Sequence, residues 1–578
     1  MALGLFFIVT GAMVAAIQLG HRPAVADQHY RPRPTGSVTF NKNIAPILFE
    51  QCATCHRPGE SGPFNLIHYA EVKKRAEKIA EVTQTGFMPP WLPEDGHEEL
   101  LDRRRLTVEQ IGLIKQWADE GAPEGNAADL PPPPKWTEGW QLGPPDLVVT
   151  MPEVYTLPGE GRDVYRNFII PIPTTGNRFV KGFEFRPSSK AVHHAFIRLD
   201  RTHESRLLAA GESAPGFPGM IVPPATESPT GHFLGWQPGR GHTRSPDGLP
   251  WTLPGGADIV LLLHMQPRGK PEPVRPSIGF YFTDLPPTNT PVKIGLKSYA
   301  IDIPAGATNY SVEQKVVLPV DSDLLALLPH THYLGKRLEG YAVLPDGTRK
   351  TLLLIPQWDF NWQSDFRFKN PVFLPKGTTL GMLYTFDNST NKLRQPQNPP
   401  VEVKYGLQTT QEMAELHFQL LAHNAGDRDR LAEAANRFAL GDVVALDEHR
   451  LREDPSDAEA LVGIAKVALS RGDIRRAEGL FRQAIVVRPG LADAHYSLSV
   501  VLLEQTRLPE AEWECLEALR LDPLHFKAAN NAGLCCMRQG KLDAAAAHFQ
   551  EALRLHPGDK MAQENLEMVV NAKRMSKH

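Results

Sequence analysis

The sequence predicts a multidomain chain: an all-α segment near the start, two antiparallel, jelly-roll-like β-sandwiches in the middle, and an α-solenoid after them. Three observations predict it. Apolar residues recur at helical spacing within residues 37–127, as with Ile111, Ile114 and Trp117. From 147 to 422, short runs rich in Val, Ile, Leu, Phe and Tyr alternate with Gly/Pro/Asp/Asn turns, as in NFIIPIP, DIVLLLHMQ and SIGFYFTD. Beyond 423 a proline returns every 34 residues, at Pro455, Pro489, Pro523 and Pro557. With 578 residues the chain exceeds one core, since domains run to roughly 100–200 residues. The net charge of -4 and the lack of a Lys/Arg run with interleaved aromatics argue against a nucleic-acid partner.

Residues 1–26 contain the uncharged apolar run LGLFFIVTGAMVAAIQLG, followed by small residues at Ala24–Ala26. This predicts a signal peptide or, uncleaved, a membrane anchor, and hence export to the periplasm or cell envelope. No Lys or Arg precedes the run.

Residues 37–127 carry CATCH, Cys52 to His56. Two thiols at this spacing can each add to a haem vinyl group, and the adjacent His56 can reach the iron. A zinc ribbon would need a second ligand pair nearby, and there is none. The segment resembles a small class I-type cytochrome c over its whole length. The resemblance implies one covalently bound haem c, with Met88 of GFMPPW as the axial ligand opposite His56. Export agrees with this, because such haems are attached outside the cytoplasm. Residues 128–146, including four consecutive prolines, read as a stiff linker.

The β region divides into 147–285 and 286–422 at DLPPTNTPV, and holds no cysteine. Five histidines lie in its strand-like runs: His193 and His194 in AVHHAFIRL, His264 in DIVLLLHMQP, and His330 and His332 in LLPHTHYLG. Residues two apart on a strand share a face, so His330 and His332 can converge on one ion, with Thr331 facing away. Neighbours such as His193 and His194 diverge unless a bulge intervenes. One buried histidine is most often a hydrogen-bonded core residue; five together favour metal.

On these residues, and on HTHYLGKRLEGYAVLPDG and QTTQEMAEL, the region resembles the type II copper, ascorbate-dependent monooxygenases, which include the peptidylglycine alpha-hydroxylating and dopamine beta-monooxygenases. The resemblance implies two copper ions. One is held by His193, His194 and His264. The other, catalytic one is held by His330, His332 and Met413. Imidazole suits copper, and a thioether favours Cu(I); Met382 also lies nearby in sequence. The implied reaction is hydroxylation of a C–H bond of a small-molecule or peptide-like substrate with dioxygen, the first copper storing an electron. The family's peptide-carboxylate residues are replaced here by Leu328, Glu415 and His417, so a peptide C-terminus does not fit. His232, His242 and His417 read as structural or substrate-facing.

In 423–578, Ala477, Ala511 and Ala545 recur with the prolines, as do Ala484, Ala518 and Ala552. This period resembles tetratricopeptide repeats, with units at 457–490, 491–524 and 525–558, a degraded unit before them and a capping helix after. A protein partner is implied. Cys515 could pair with Cys535 or Cys536 across stacked helices, a matter of geometry that sequence does not decide. The whole reads as a copper-dependent monooxygenase supplied with electrons by a fused c-type haem. The alternative is an exported haem/copper electron-transfer or scaffold protein without oxygenase activity.

Overall fold

The computed structural model describes residues 30–575, apart from 59, 61, 135–138, 220–225, 228–230, 239, 241 and 247; the export segment at 1–26 lies outside the described residues. The chain separates into two compact units. One holds the residues up to Trp91 together with Arg103–Trp136, and the other holds Leu92–Asp102 together with the chain from Thr137 onward.

The first unit is helical. Its helices include α1 (Ala45–Gln51), α2 (Ala76–Gln84) and α3 (Val108–Asp119). Helix α3 starts on a capping box in which Thr107 and Gln110 satisfy each other's backbone N–H. Ile114 and Trp117 are fully buried against Ile44, Leu48 and Ile79, as their spacing predicts. Residues 92–102 depart from the expected 37–127 segment. They carry turn formers and no helical period, and they pair as an edge: Leu101 N–H donates to Arg367 O (2.8 Å) and Lys369 N–H to Glu99 O (2.8 Å). The expected linker is also divided. Its second half is pinned by the Glu184 carboxylate, which accepts from the Gln141 and Leu142 backbone N–H (2.7 and 2.5 Å).

The first β-sandwich contains β1 (Leu147–Thr150), β2 (Val164–Pro171), β3 (Arg178–Arg186), β4 (Val192–Asp200), β5 (Trp251–Leu253), β6 (Asp258–Met265) and β7 (Ser277–Thr283). One antiparallel sheet runs β1-β7-β3-β5, and the other has β6 between β2 and β4. Phe183 and Phe280 from the first sheet share one core with Phe168, Ile197 and Leu261 from the second. Strand β6 is buried along its whole length, which is why it reads as a continuous apolar run.

The second sandwich contains β8 (Val292–Lys297), β9 (Tyr310–Val317), β10 (Ser322–His330), β11 (Gly335–Val343), β12 (Arg349–Ile355), β13 (Phe366–Leu374), β14 (Thr379–Phe386) and β15 (Glu415–Ala422). Its sheets are β8-β15-β10-β13 and β9-β14-β11-β12. On β15, Leu416, Phe418 and Leu420 are fully buried in the core. Glu415, His417 and Gln419 therefore point to the opposite face of that sheet. The core is tight: a Cβ on Gly340 would stand 2.9 Å from Leu416 Cδ2.

Helix α4 (Ala425–Glu453) follows as one unbroken helix of 29 residues. It replaces the expected degraded helix pair, because no proline interrupts it and Gly441 is tolerated inside. Three helix pairs then stack: α5 (Ala458–Ser470) with α6 (Ile474–Val487), α7 (Ala492–Glu504) with α8 (Leu508–Leu521), and α9 (Phe526–Arg538) with α10 (Leu542–Leu555). Helix α11 (Lys560–Met575) caps them. The six recurring alanines are all fully buried. Phe481, Cys515 and Phe549 occupy one repeated core position, and Ala465, Ser499 and Gly533 a second, small one. Gly533 is required there, since a Cβ would come 2.6 Å from the Phe549 ring. Cys515 hydrogen-bonds Cys535, while Cys536 Sγ donates to Glu512 Oε1 (3.5 Å); all three are free thiols. Among the described residues no helix is long and apolar enough to cross a membrane. Truncating Phe549 to Ala is expected to cost about 3–5 kcal/mol and to lower the helical melting transition by circular dichroism; an unchanged transition would refute this packing.

Candidate metal centre

His264 on β6 stands opposite His194 on β4, but the next pair is Met265 with Val192. His193 is therefore the extra residue of a bulge, the device that lets adjacent histidines converge. One ligand-capable nitrogen from each of His193, His194 and His264 falls within 4.8 Å of the others. His264 Nε2–H donates to Asp163 Oδ2 (2.7 Å), which leaves the Nδ1 lone pair facing His194 Nδ1 at 3.4 Å. The Tyr165 ring stacks on His264 at 4.3 Å and fixes its plane. His193 Nδ1 and His194 Nε2 are buried with no hydrogen-bond partner. Buried orphan nitrogens are costly in a core but suited to a cation. Burial pushes the His193 imidazole down to about 4, with the nearby His264 adding to it, and His194 lower still. Burial alone would raise the Asp163 carboxyl; the hydrogen bonds from His264 and Gln266 help outweigh it and hold it below its ordinary range.

The second set lies where β10 ends. His330 stands opposite Glu415 on β15. Continuing the antiparallel register places Met413 opposite His332. His330 Nδ1–H donates to Gln363 Oε1 (2.7 Å) and His332 Nδ1–H to the Gln411 carbonyl (3.0 Å). Both tautomers leave an Nε2 lone pair for a metal. The buried Glu412 carboxylate accepts from Thr331 Oγ1 (2.7 Å), from Leu334 N–H (2.9 Å), from Met413 N–H (2.8 Å) and from His332 N–H. One carboxylate thus ties the His-x-His turn to the segment before β15 that bears Met413. Met382 lies in the facing sheet, opposite Gly340, and is fully buried. Burial pushes His332 down to about 4 and lowers His330.

Phe360, in a short 3-10 turn capped by Asp359, stands between the two sets. Its ring centroid is 5.7 Å from His193, 6.0 Å from His194, 6.5 Å from His330 and 5.7 Å from His332. The histidine faces of the two sandwiches are therefore turned toward each other. Sequence reading missed Phe360, Asp163, Gln363 and Glu412; only Glu412 carried a signal, as the neighbour of Met413 within a quoted motif. Of the remaining histidines, His232 is buried and pushed down to about 3, chiefly by that burial. His417 Nε2 bonds Glu415 Oε2 (3.2 Å). His242 Nδ1 lies 3.4 Å from Gln141 Oε1.

In the first unit, Cys52, Cys55 and His56 share the turn after α1, with Cys55 and His56 N–H both donating to Cys52 O (3.2 and 2.9 Å). Both thiols are free. His56 Nδ1–H donates to Phe64 O (3.1 Å), leaving Nε2 as a ligand nitrogen. Gly62 passes so close that a Cβ would stand 2.8 Å from His56 Nδ1. Met88 lies in the loop after α2, half-buried, its N–H bonded to Val82 O (2.9 Å). The donor set fits a c-type haem.

Comparison with known proteins reaches the helical array. The tetratricopeptide repeat family matches residues 462–523 and 515–560. The C-terminal helices are tetratricopeptide repeats. The chain is 31% identical over 100 residues to the inactive TPR repeat-containing thioredoxin TTL3 of Arabidopsis thaliana, covering 17% of this chain and 14% of that protein. It is 30% identical over 131 residues to the type IV pilus assembly protein PilF of Pseudomonas aeruginosa, covering 22% of this chain and 51% of that protein. Solved structures similar to it include MamA, at 19% identity, 26% of this chain, 85% of that one and a TM-score of 0.23. Another is the first TPR of Spaghetti (RPAP3) bound to an HSP90 peptide, at 19% identity, 21% of this chain, 96% of that one and a TM-score of 0.21.

Two outcomes follow from this geometry. Unfolded histidines take up protons below about 6.5, whereas folded His193 and His332 resist to about 4. The metal-free protein is therefore expected to lose stability as pH falls from 6.5 toward 4, with less loss in a His193→Asn, His332→Asn variant. Denaturant midpoints across that range check it, and equal slopes in both proteins would contradict it. Glu412→Ala leaves four donors without their acceptor and is expected to cost more than about 3 kcal/mol by denaturant titration.

Proposed function

We propose that the chain is a copper-dependent monooxygenase that hydroxylates a C–H bond of an organic substrate with dioxygen, with electrons supplied through a c-type haem on the same chain. The observation that carries this reading is the convergence of five imidazoles into two sets around Phe360, one of them with a ligand-capable nitrogen from each ring within 4.8 Å of the others. His193, His194 and His264 would hold one copper; His330, His332 and Met413 would hold the catalytic one. Cys52, Cys55, His56 and Met88 would hold the haem. Copper in such sites supplies one-electron redox chemistry and dioxygen activation.

The chain's own residues do the positioning. Asp163 and Tyr165 fix the His264 ring, and Glu412 fixes the turn carrying His332. Phe360, only 3% exposed, keeps water from the space between the imidazoles. The sandwiches fit the jelly-roll-like pair implied by the family resemblance. Export to the periplasm or cell envelope suits both the haem chemistry and the apolar first segment. The tetratricopeptide repeats would recruit a protein partner through their concave face.

A second reading is an exported haem/copper electron carrier or scaffold without oxygenase activity, favoured by the large share of chain given to repeats. Metal analysis and EPR of the haem-loaded full chain separate the two. The expected result is about two coppers and one haem, with about one copper lost in each of His264→Ala and His330→Ala, and substrate-dependent oxygen uptake. A chain free of copper overturns the oxygenase. Stopped-flow mixing is expected to show faster haem reoxidation when copper and dioxygen are both present.

A further inference from the structure

The sheet faces that present the histidines also carry cations further along their strands. On β4, Arg198 stands opposite Val260, Phe196 opposite Leu262 and His194 opposite His264, so all three share one face. On β8, Lys293 stands opposite Gln419 and Lys297 opposite Glu415, which is itself opposite His330. The segment between the sandwiches joins these faces: Lys293 Nζ donates to His232 O (3.3 Å) and Gln419 Nε2 to Gly231 O (2.7 Å).

Among the described side chains, the carboxylates on this seam are already engaged. Glu415 is engaged by Lys297 (3.3 Å) and His417 (3.2 Å). Asp200, at the end of β4, is engaged by Thr202, His203 and Ser205. That leaves Arg198 and Lys293. Arg198 is half-buried and, among the described residues, has no hydrogen bond or ion pair. Lys293 has a backbone carbonyl and the Phe233 ring at 5.9 Å but, among the described residues, no carboxylate. Two other arginines of this unit have carboxylate partners: Arg206 has Asp258 and Arg240 has Asp365. Burial, then the charges of Arg198 and Lys297, push the Lys293 ammonium down to about 8, the direction expected when no anion faces it. Phe196 stands opposite Gly235 and Ile197 N–H donates to Leu234 O (3.0 Å), so continuing that register brings Arg198 level with Phe233, the ring over which Lys293 lies; two like charges on one seam are costly until an anion arrives.

We propose that Arg198 and Lys293 form an oxyanion site that holds the carboxylate or phosphate of an amphipathic substrate, whose apolar chain runs over Phe196 toward the histidines. The substrate assignment rests on the oxygenase reading above; the anion site itself does not. A planar guanidinium beside an ammonium suits a carboxylate or phosphate oxygen pair. Phe196 is 44% exposed, an apolar surface between the cation and His194. Four strand residues separate Arg198 from His194, about 13 Å at strand spacing, which sets the span from the anionic group to the nearer histidine set. These cations are not at the places that the peptide-carboxylate residues occupy in the resembling family.

Isothermal titration of the copper-free, haem-loaded full chain with octanoate, octyl phosphate and inorganic phosphate tests the proposal. Saturable binding is expected, weakened at least about tenfold in Arg198→Gln and in Lys293→Gln, and largely kept in Arg198→Lys. Phe196→Ala is expected to weaken the octyl ligands while leaving inorganic phosphate unchanged. Octanoate binding tighter than octyl phosphate assigns a carboxylate, and the reverse assigns a phosphate ester. Absence of saturable binding, or equal affinity in wild type and both Gln variants of unchanged melting temperature, overturns the site. Copper uptake measured on a portion of the same preparation reloaded with copper keeps the two readings apart: anion binding without copper uptake removes only the oxygenase, and copper uptake without anion binding removes only this site.

Discussion

Packing of imidazoles from both sandwiches around the Phe360 ring is the constraint on which the rest of the β region depends. Four of the five histidines lie within 6.5 Å of that ring. For both sets to reach it, each sandwich must turn its histidine-bearing sheet toward the other. That requirement fixes which face of β4, β6, β10 and β15 looks outward from its own core. It also explains why those strands carry polar side chains on a face that is largely hidden from water. Burial then disfavours protonation of His193, His194, His330 and His332, and the hydrogen bonds to Asp163, Gln363 and the Gln411 carbonyl choose which nitrogen of His264, His330 and His332 remains available.

Two carboxylates set the geometry in different ways. Asp163 acts on one ring: it takes the Nε2 proton of His264 and turns the other nitrogen inward. Glu412 acts on the backbone. It gathers four donors from two separate chain segments, so the turn after His330 and the segment before β15 cannot move independently. Burial raises the Glu412 carboxyl, and the donors around it oppose that shift. The position of Met413 follows from this backbone clamp as much as from strand register.

Much of this was legible in the sequence because it rests on period. The 34-residue spacing of buried alanines placed the repeats, and the bulge at His193 followed from two adjacent histidines needing one face. What was not legible depends on distant partners. Residues 92–102 have no period of their own, and only the edge at Arg367 and Lys369 gives them a place. The stretch after the prolines looked like a free spacer, yet Glu184, more than forty positions away, holds it. Phe360 is an ordinary aromatic until both sandwiches close on it. Arg198 reads as a routine strand arginine, and that it has no carboxylate partner among the described residues emerges only from the assembled fold.

The helical array carries an asymmetry of its own. Where the flanking units fill a shared position with the rings of Phe481 and Phe549, the central one has the thiol of Cys515, with Ser499 and Cys535 beside it. A thiol buries far less apolar surface than a phenyl group. In a stack held by nearest neighbours, cohesion is then weakest at the midpoint. Such an array yields first in its centre, so its two halves behave as coupled blocks hinged at the second repeat, and any concave surface they share can change curvature without either end unravelling.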